Sequence, residues 1–325
     1  MTRRFSHFFV LLVVMVVVVL LLWALTGRDF MNPANLQSMA YQMPELGILS
    51  LAMMITMLTA GINLSIIATA NLAGIVMAMI LTSEGISASL GDVGTMITAV
   101  ATGLIVSALV GVLNGYLISR LDMSPILATL GTSIMLSGIS IVITQGYVIS
   151  GFSEAMLKIG SGTLLGVPLP LIIFLACAGA MAVILNNTPL GMRIYLLGSN
   201  PVATFFSGVD NRGVLMRTYV ISGLYSGIAA VVMISRFNSA KADYGESYLL
   251  LTVLAAVLGG VSAAGGFGKV SGLVLSLIIL QIISSGLNLM GISNFLTLAL
   301  WGAVLILVMV IKYVIENMQT RRHMA

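Results

Sequence analysis

The 38 residues LGILSLAMMITMLTAGINLSIIATANLAGIVMAMILTS (46–83) contain no charged side chain. A helix crosses the hydrocarbon core of a bilayer in about 20 apolar residues, so this stretch is long enough for two crossings. Its middle, GINLS at 61–65, is polar and glycine-bearing and breaks the apolar run. At about 1.5 Å per residue, positions 46–60 are short for a full crossing. Unwound backbone at membrane depth survives only where it is buried in protein or lines a water-filled cavity. Broken helices of this kind mark substrate sites in transporters. The stretch therefore predicts a membrane protein with a polar break, and Asn63 and Ser65 become candidates for a translocation path.

The whole chain agrees with a membrane reading. Of its 325 residues 59% are hydrophobic and 7% charged, and the mean hydropathy is +1.13. A soluble domain carries about a quarter charged residues. The composition thus excludes a soluble enzyme, a disordered chain and a nucleic-acid binder. Long uncharged gaps run from Phe5 to Gly27, then over 46–83, 93–119, 123–153, 159–192, 218–235, 247–268 and 270–311. The gap 270–311 is also broken, by SSGLN at 284–288, and is long enough for two spans. Ten spans result, an all-α polytopic protein forming one membrane domain over 1–325. The basic leader MTRRFSH precedes an 18-residue apolar core with no small-residue cleavage site after it, which reads as a retained span rather than a signal peptide.

Orientation follows the lysines and arginines of short loops. With a cytoplasmic N-terminus, alternation places Arg3, Arg4, Arg120, Arg193, Arg212, Arg217, Lys269, Lys312, Arg321 and Arg322 inside. Only Arg28, Lys158, Arg236 and Lys241 fall outside, so both termini are expected in the cytoplasm. The alternation requires the chain to reverse at 61–65, where no charge marks a loop. The largest cytoplasmic feature is 187–216 (NTPLGMRIYLLGSNPVATFFSGVDNRGVLM). Pro201 suits the first turn of a short helix and Gly208 its end. Val202, Phe205 and Phe206 share one face of that helix.

Chemistry is scarce. The two histidines, His7 and His323, lie in the tails, so neither a Cys/His metal cluster nor a Ser-His-Asp arrangement inside the membrane is expected. AAGGFGKV (263–270) lacks the first Gly and the final Ser/Thr of a phosphate loop, so ATP must be handled by another chain. Almost every charge sits at a span end, which argues against the alternative of an ion- or proton-coupled secondary transporter. Gly103, Ser107, Gly111 and Gly115 form a small-residue stripe suited to close helix packing. Asn63, Asn71, Asn114, Gln281 and Asn288 must each find a partner in the membrane, as packed amides or as path lining. The stretch 111–130 weakly matches 282–300, and the two would run in opposite directions, as inverted repeats do.

Four motifs in order, LTAGINLS (58–65), NGYLISRLDMSPILATLGT (114–132), PLGMRIYLLGSNPVATFFSGV (189–209) and GESYLLLTVLAAVLGGVSAAGGFGKVSG (245–272), resemble the permease subunit of bacterial ABC importers for ribose and other monosaccharides, a group that includes the autoinducer-2 importers. The resemblance covers about 45–310. It implies a vitamin-B12-permease-like fold with inverted repeats in the bacterial inner membrane. It further implies a second permease, identical or not, cytoplasmic ATPase domains holding ATP-Mg, a periplasmic sugar-binding protein, and no cofactor or catalytic residue on this chain. The short helix of the large loop would dock in a cleft of the ATPase, through Gly198, Asn200, Pro201, Val202, Ala203, Phe205, Phe206, Ser207 and Gly208. Such permeases usually read GGIDLSVGS where this chain has AGINLSIIA (60–68), and are acidic where it has Leu249 and Leu251. These departures fit an unusual cargo, or one member of a heterodimer.

Overall fold

In hydrocarbon every backbone N–H and C=O must find a partner within the protein, and an apolar run satisfies this by becoming a helix. The computed structural model describes residues 2–293, 295–306 and 310, and most of them are helical. The order is α1 (Thr2–Thr26), α2 (Pro33–Met57), α3 (Ile66–Leu81), α4 (Glu84–Ser119), α5 (Pro125–Thr144), β1 (Ile149–Ser150), α6 (Glu154–Ser161), β2 (Thr163–Leu164), β3 (Val167–Pro168), α7 (Leu169–Asn187), α8 (Pro189–Ser199), α9 (Pro201–Phe206), α10 (Asn211–Phe237), β4 (Ser239–Ala240), α11 (Tyr248–Leu258) and α12 (Val270–Leu289). A shorter apolar helix, α13, covers Phe295–Ile306.

Among the described residues six helices are long and apolar enough to cross a membrane: α1, α4, α5, α7, α10 and α12. α3, α11 and α13 are apolar but shorter. α2 has 25 residues, about 37 Å of helix, with a polar first half (PANLQSMAYQMPE). The protein is thus a polytopic helical membrane protein. The expected charges Lys312, Arg321 and Arg322, and His323, lie outside the described residues.

The structure corrects the reading of 46–60 as a short segment. α2 begins at Pro33 and continues through Pro44 and Glu45, so a charged residue lies inside it. Glu45 is fully buried and is matched by Arg236, whose Nη1 sits 2.9 Å from its Oε1. The Tyr248 hydroxyl donates to Oε2 at 3.5 Å, and Arg236 also donates to the Tyr41 carbonyl at 3.2 Å. A buried carboxylate is tolerable once it is paired.

α10 is the axis of the molecule, and its neighbours fix the chain directions. Along α2, Ala52 meets Ser222 and Tyr41 meets Arg236, so α2 runs antiparallel to α10. Along α3, a Cβ on Gly74 would touch Ile234, whereas Asn63, just before α3, meets Ser222, so α3 runs parallel to α10. The chain therefore does reverse at the break. α4 descends against α10 along its small-residue stripe. A Cβ on Gly223 would overlap the Ser107 carbonyl, and one on Gly111 would lie 2.6 Å from the Tyr219 carbonyl oxygen. The stripe is a packing seam.

These directions sort the loops into two ends. One end gathers 58–65, 120–125, 188–212 and 259–269, joined by Gly266 N–H to the Leu58 carbonyl and by Arg212 to Asp122. The other gathers the start of α2, α6 and the loop after α10. There Ile149 pairs with Ala240 and Ser150 with Ser239, and Tyr41 bonds the Ser161 carbonyl. Lys241 at that end donates to Asp243 at 2.8 Å. This hydrogen bond raises its pKa above the usual lysine value. Toward the first end lie Arg120, Arg193, Arg212, Arg217 and Lys269, and toward the second lie Arg28, Lys158, Arg236 and Lys241.

Candidate functional site: a polar break beside an aromatic loop helix

The break follows from the sequence TAGINLS. α2 stops at Met57, and the Leu58 N–H still bonds Met54. Ala60 and Gly61 N–H then turn back to the Met57 and Thr56 carbonyls. Ala60 adopts φ 60°, an unusual left-handed conformation for a residue with a Cβ. A Cβ at Gly61 would lie 2.5 Å from the Tyr219 hydroxyl, so glycine lets this ring approach the break.

Past that turn the side chains replace lost helical bonds. The Asn63 amide donates to Ser222 Oγ at 3.0 Å, and Ser222 in turn donates to the Ala52 carbonyl at 2.8 Å. Asn63 Oδ1 accepts from Ser65 N and Oγ at 3.1 and 2.8 Å. The Asn114 amide donates to Ser65 Oγ at 2.8 Å. Leu64 N–H donates to Thr129 Oγ1 at 3.1 Å. Asn63, Ser65, Asn114, Thr129 and Ser222 are all buried. Two buried polar atoms in this neighbourhood, Asn114 Oδ1 and the Tyr219 hydroxyl, have no hydrogen-bond partner among the described residues. Spare acceptor and hydroxyl capacity beside unwound backbone suits a group that moves or a polar molecule that passes.

Of the residues expected to line a path, the structure brings Asn63, Ser65 and Asn114 together, whereas Gln281 donates to Gln42 Oε1 at 3.4 Å. Asn71 lies further along α3, donating to the Ala242 and Tyr244 carbonyls at 2.8 and 3.0 Å, and so ties down the loop after α10. Asn288 is exposed in the last turn of α12, apart from the cluster. Thr129, Ser222 and Tyr219 belong to the cluster, and the reading of amides alone missed them. Thr129 sits in the quoted ILATLGT motif, and Ser222 beside the glycines of α10, but neither type stands out among many similar residues.

The loop helix lies at the same end. It is shorter than expected, because Asn200 is extended (φ −159°, ψ 98°) and divides the segment into α8 and α9. Gly198 therefore ends α8 rather than entering the short helix. The Asn200 side chain accepts from Ala203 N at 2.9 Å, Pro201 fills the first turn, and Gly208 at φ +78° follows the end. Ser207 Oγ donates to the Ala203 carbonyl at 2.8 Å. Asn211 braces the helix through the Pro201 carbonyl at 2.9 Å. Val202, Phe205 and Phe206 are 64%, 65% and 82% exposed, and the two rings meet edge to face at 5.9 Å. Among the described residues no other part of the chain covers this face.

The described residues contain no group of three or more His, Cys, Asp or Glu able to hold a metal ion. The family model for the branched-chain amino acid transport system / permease component matches residues 35–309. The chain is similar to the ribose import permease protein of Bacillus subtilis (strain 168), 32% identical over 281 residues, 86% of this chain and 84% of that one. It is similar also to the autoinducer 2 import system permease proteins of Yersinia enterocolitica (serotype O:8 / biotype 1B) and Escherichia coli (strain K12), each 32% identical over 271 residues, 82% of this chain and 79% of the relative. No solved structure matches.

Proposed function

The chain belongs to the branched-chain amino acid transport system / permease component family, and from that premise we propose that it is the membrane permease subunit of an ATP-driven importer. Its cargo is a sugar or sugar-like small molecule, in keeping with the ribose and autoinducer-2 permeases it resembles. The chain supplies no catalytic group and binds no cofactor of its own. ATP-Mg is held by a separate cytoplasmic ATPase, the cargo arrives on a periplasmic binding protein, and a second permease, identical or not, completes the path across the inner membrane. The arrangement we propose has ten spans of vitamin-B12-permease-like type with both termini cytoplasmic; the opposed directions of α4 and α12 are in keeping with its inverted repeats.

One observation carries the reading: a capped helix at one end of the bundle leaves two phenylalanine rings uncovered by the rest of the chain. Burying two such rings contributes about 3–6 kcal/mol before ordering costs, enough to hold an ATPase subunit. The mechanism follows from what lies behind it. The ATPase grips Val202, Phe205 and Phe206, and ATP-driven movement reaches the break at 58–65. There Asn63, Ser65 and Asn114 exchange hydrogen bonds among themselves for bonds to passing hydroxyls. Asn71 secures the opposite loop. A coupled secondary transporter would need ionisable groups along the path, and Glu45 already has Arg236 as its ion-pair partner near the far end of α10. The test is Phe205→Ala with Phe206→Ala, assayed for co-purification of the ATPase from the native host. Loss of the ATPase from a correctly inserted permease is expected; full retention refutes the docking role.

A further inference from the structure

Behind the exposed helix three segments of backbone approach one another closely, with Ser199 Oγ and the Ala60 methyl the side-chain atoms packed at the crossing. A Cβ on Gly198 would overlap the Leu58 carbonyl oxygen and lie 2.5 Å from Gly266 N. One on Gly265 would lie 2.7 Å from the Gly198 carbonyl oxygen and 2.8 Å from Ala60 N. One on Gly266 would lie 2.9 Å from Ser199 Cα. Gly265 and Gly266 hold φ +86° and +74°, which favours glycine for conformational as well as steric reasons. The contacts are bonded as well as tight. Gly266 N–H donates to the Leu58 carbonyl at 2.9 Å, and the Tyr195 hydroxyl to the Gly268 carbonyl at 2.9 Å. The end of α8, the α2–α3 break and the α11–α12 loop are therefore locked together.

This junction sits between the docking helix and the polar cluster. Ser199 is one residue from the extended Asn200 that leads into α9, and Leu58 is five residues from Asn63. A contact through side chains absorbs a small displacement by changing rotamer. A backbone-to-backbone contact has no such slack, because protein interiors are close-packed and transmit strain. We propose that the Gly198–Leu58–Gly265/Gly266 crossing is the coupling element of this permease, carrying movement of α8–α9 directly to the break and so setting whether the Asn63 cluster is closed. Gly198 and Tyr195 are positioning residues in this scheme, and neither touches cargo. The proposal rests on the docking reading above, and coupling of this kind requires an element that both sites bias.

Amide hydrogen exchange of residues 58–66 tests it in the permease–ATPase complex purified from cells, with and without ATP, Mg2+ and vanadate. In the unaltered protein and in Gly179→Ala, where the added methyl meets open space, nucleotide should change exchange at 58–66 at least three-fold. In Gly198→Ala the ATPase should still co-purify while that response disappears. Tyr195→Phe, which removes the hydroxyl that bonds the Gly268 carbonyl and little packing volume, guards against misfolding and should reduce the response by half or more. A full response in Tyr195→Phe, or in an inserted Gly198→Ala, overturns the coupling role. Failure of the docking reading shows separately, as an ATPase that stays bound to the Phe205→Ala, Phe206→Ala variant.

Discussion

Asn63 makes three hydrogen bonds at the break, one of them to a backbone N–H. It accepts twice from Ser65 and donates once to Ser222. Asn63→Leu keeps the volume and orphans Ser65 N–H in a buried setting, at a cost of about 1–3 kcal/mol. Uptake of the cargo by cells should fall sharply while membrane expression and ATPase binding persist; unchanged uptake would reduce Asn63 to packing. Arg236 makes the opposite kind of case. Its removal strands the buried Glu45 carboxylate, so Arg236→Ala should destabilise the protein by about 3–5 kcal/mol. Thermal unfolding in detergent checks this, and Glu45→Gln added to Arg236→Ala should restore much of the loss. Asn63 was legible in the sequence because an amide in an uncharged gap is conspicuous. The Glu45–Arg236 pair was not, since its members lie 191 positions apart (236 − 45), and each alone reads as the end of a span.

Helix periodicity, caps and small-residue stripes were readable at the level of elements. Gly103, Ser107, Gly111 and Gly115 recur every four residues, and the structure lays Ser107, Gly111 and Gly115 against α10. Gly223→Leu should force α4 and α10 apart, because the new side chain starts in contact with the Ser107 carbonyl. Overpacking of this kind costs about 1–3 kcal/mol or more, and a lowered melting temperature and poor yield are expected. Gly131→Ala, whose methyl meets nothing within 4 Å, should behave as the parent. The division of the loop into α8 and α9 was less legible. A proline at 201 announces a helix start, but the extended Asn200 before it depends on the capping bond to Ala203, and only geometry reveals that Gly198 belongs to a different helix.

For the whole molecule the testable quantity is sidedness. With Cys177→Ala as background, Ser161→Cys should react with a membrane-impermeant thiol reagent on intact cells, and Ser207→Cys only after permeabilisation. The reverse pattern would invert the topology. Both serines are exposed, at opposite ends of the bundle. Composition alone determined that this chain lives in a membrane, because 7% charged residues cannot clothe a soluble surface. Hydropathy gaps and local signals likewise marked the long apolar helices, the reversal at 61–65 and the aromatic loop helix, since each depends on residues close together in the chain. Only the tertiary structure decided that Asn63, Ser65 and Asn114 meet whereas Asn71 and Asn288 stand elsewhere. It alone decided, too, that three glycine-bearing backbones cross between the loop helix and the break. Those are encounters between residues tens to hundreds of positions apart, and their distances are set by how helices pack, a property that no local pattern of hydrophobicity encodes.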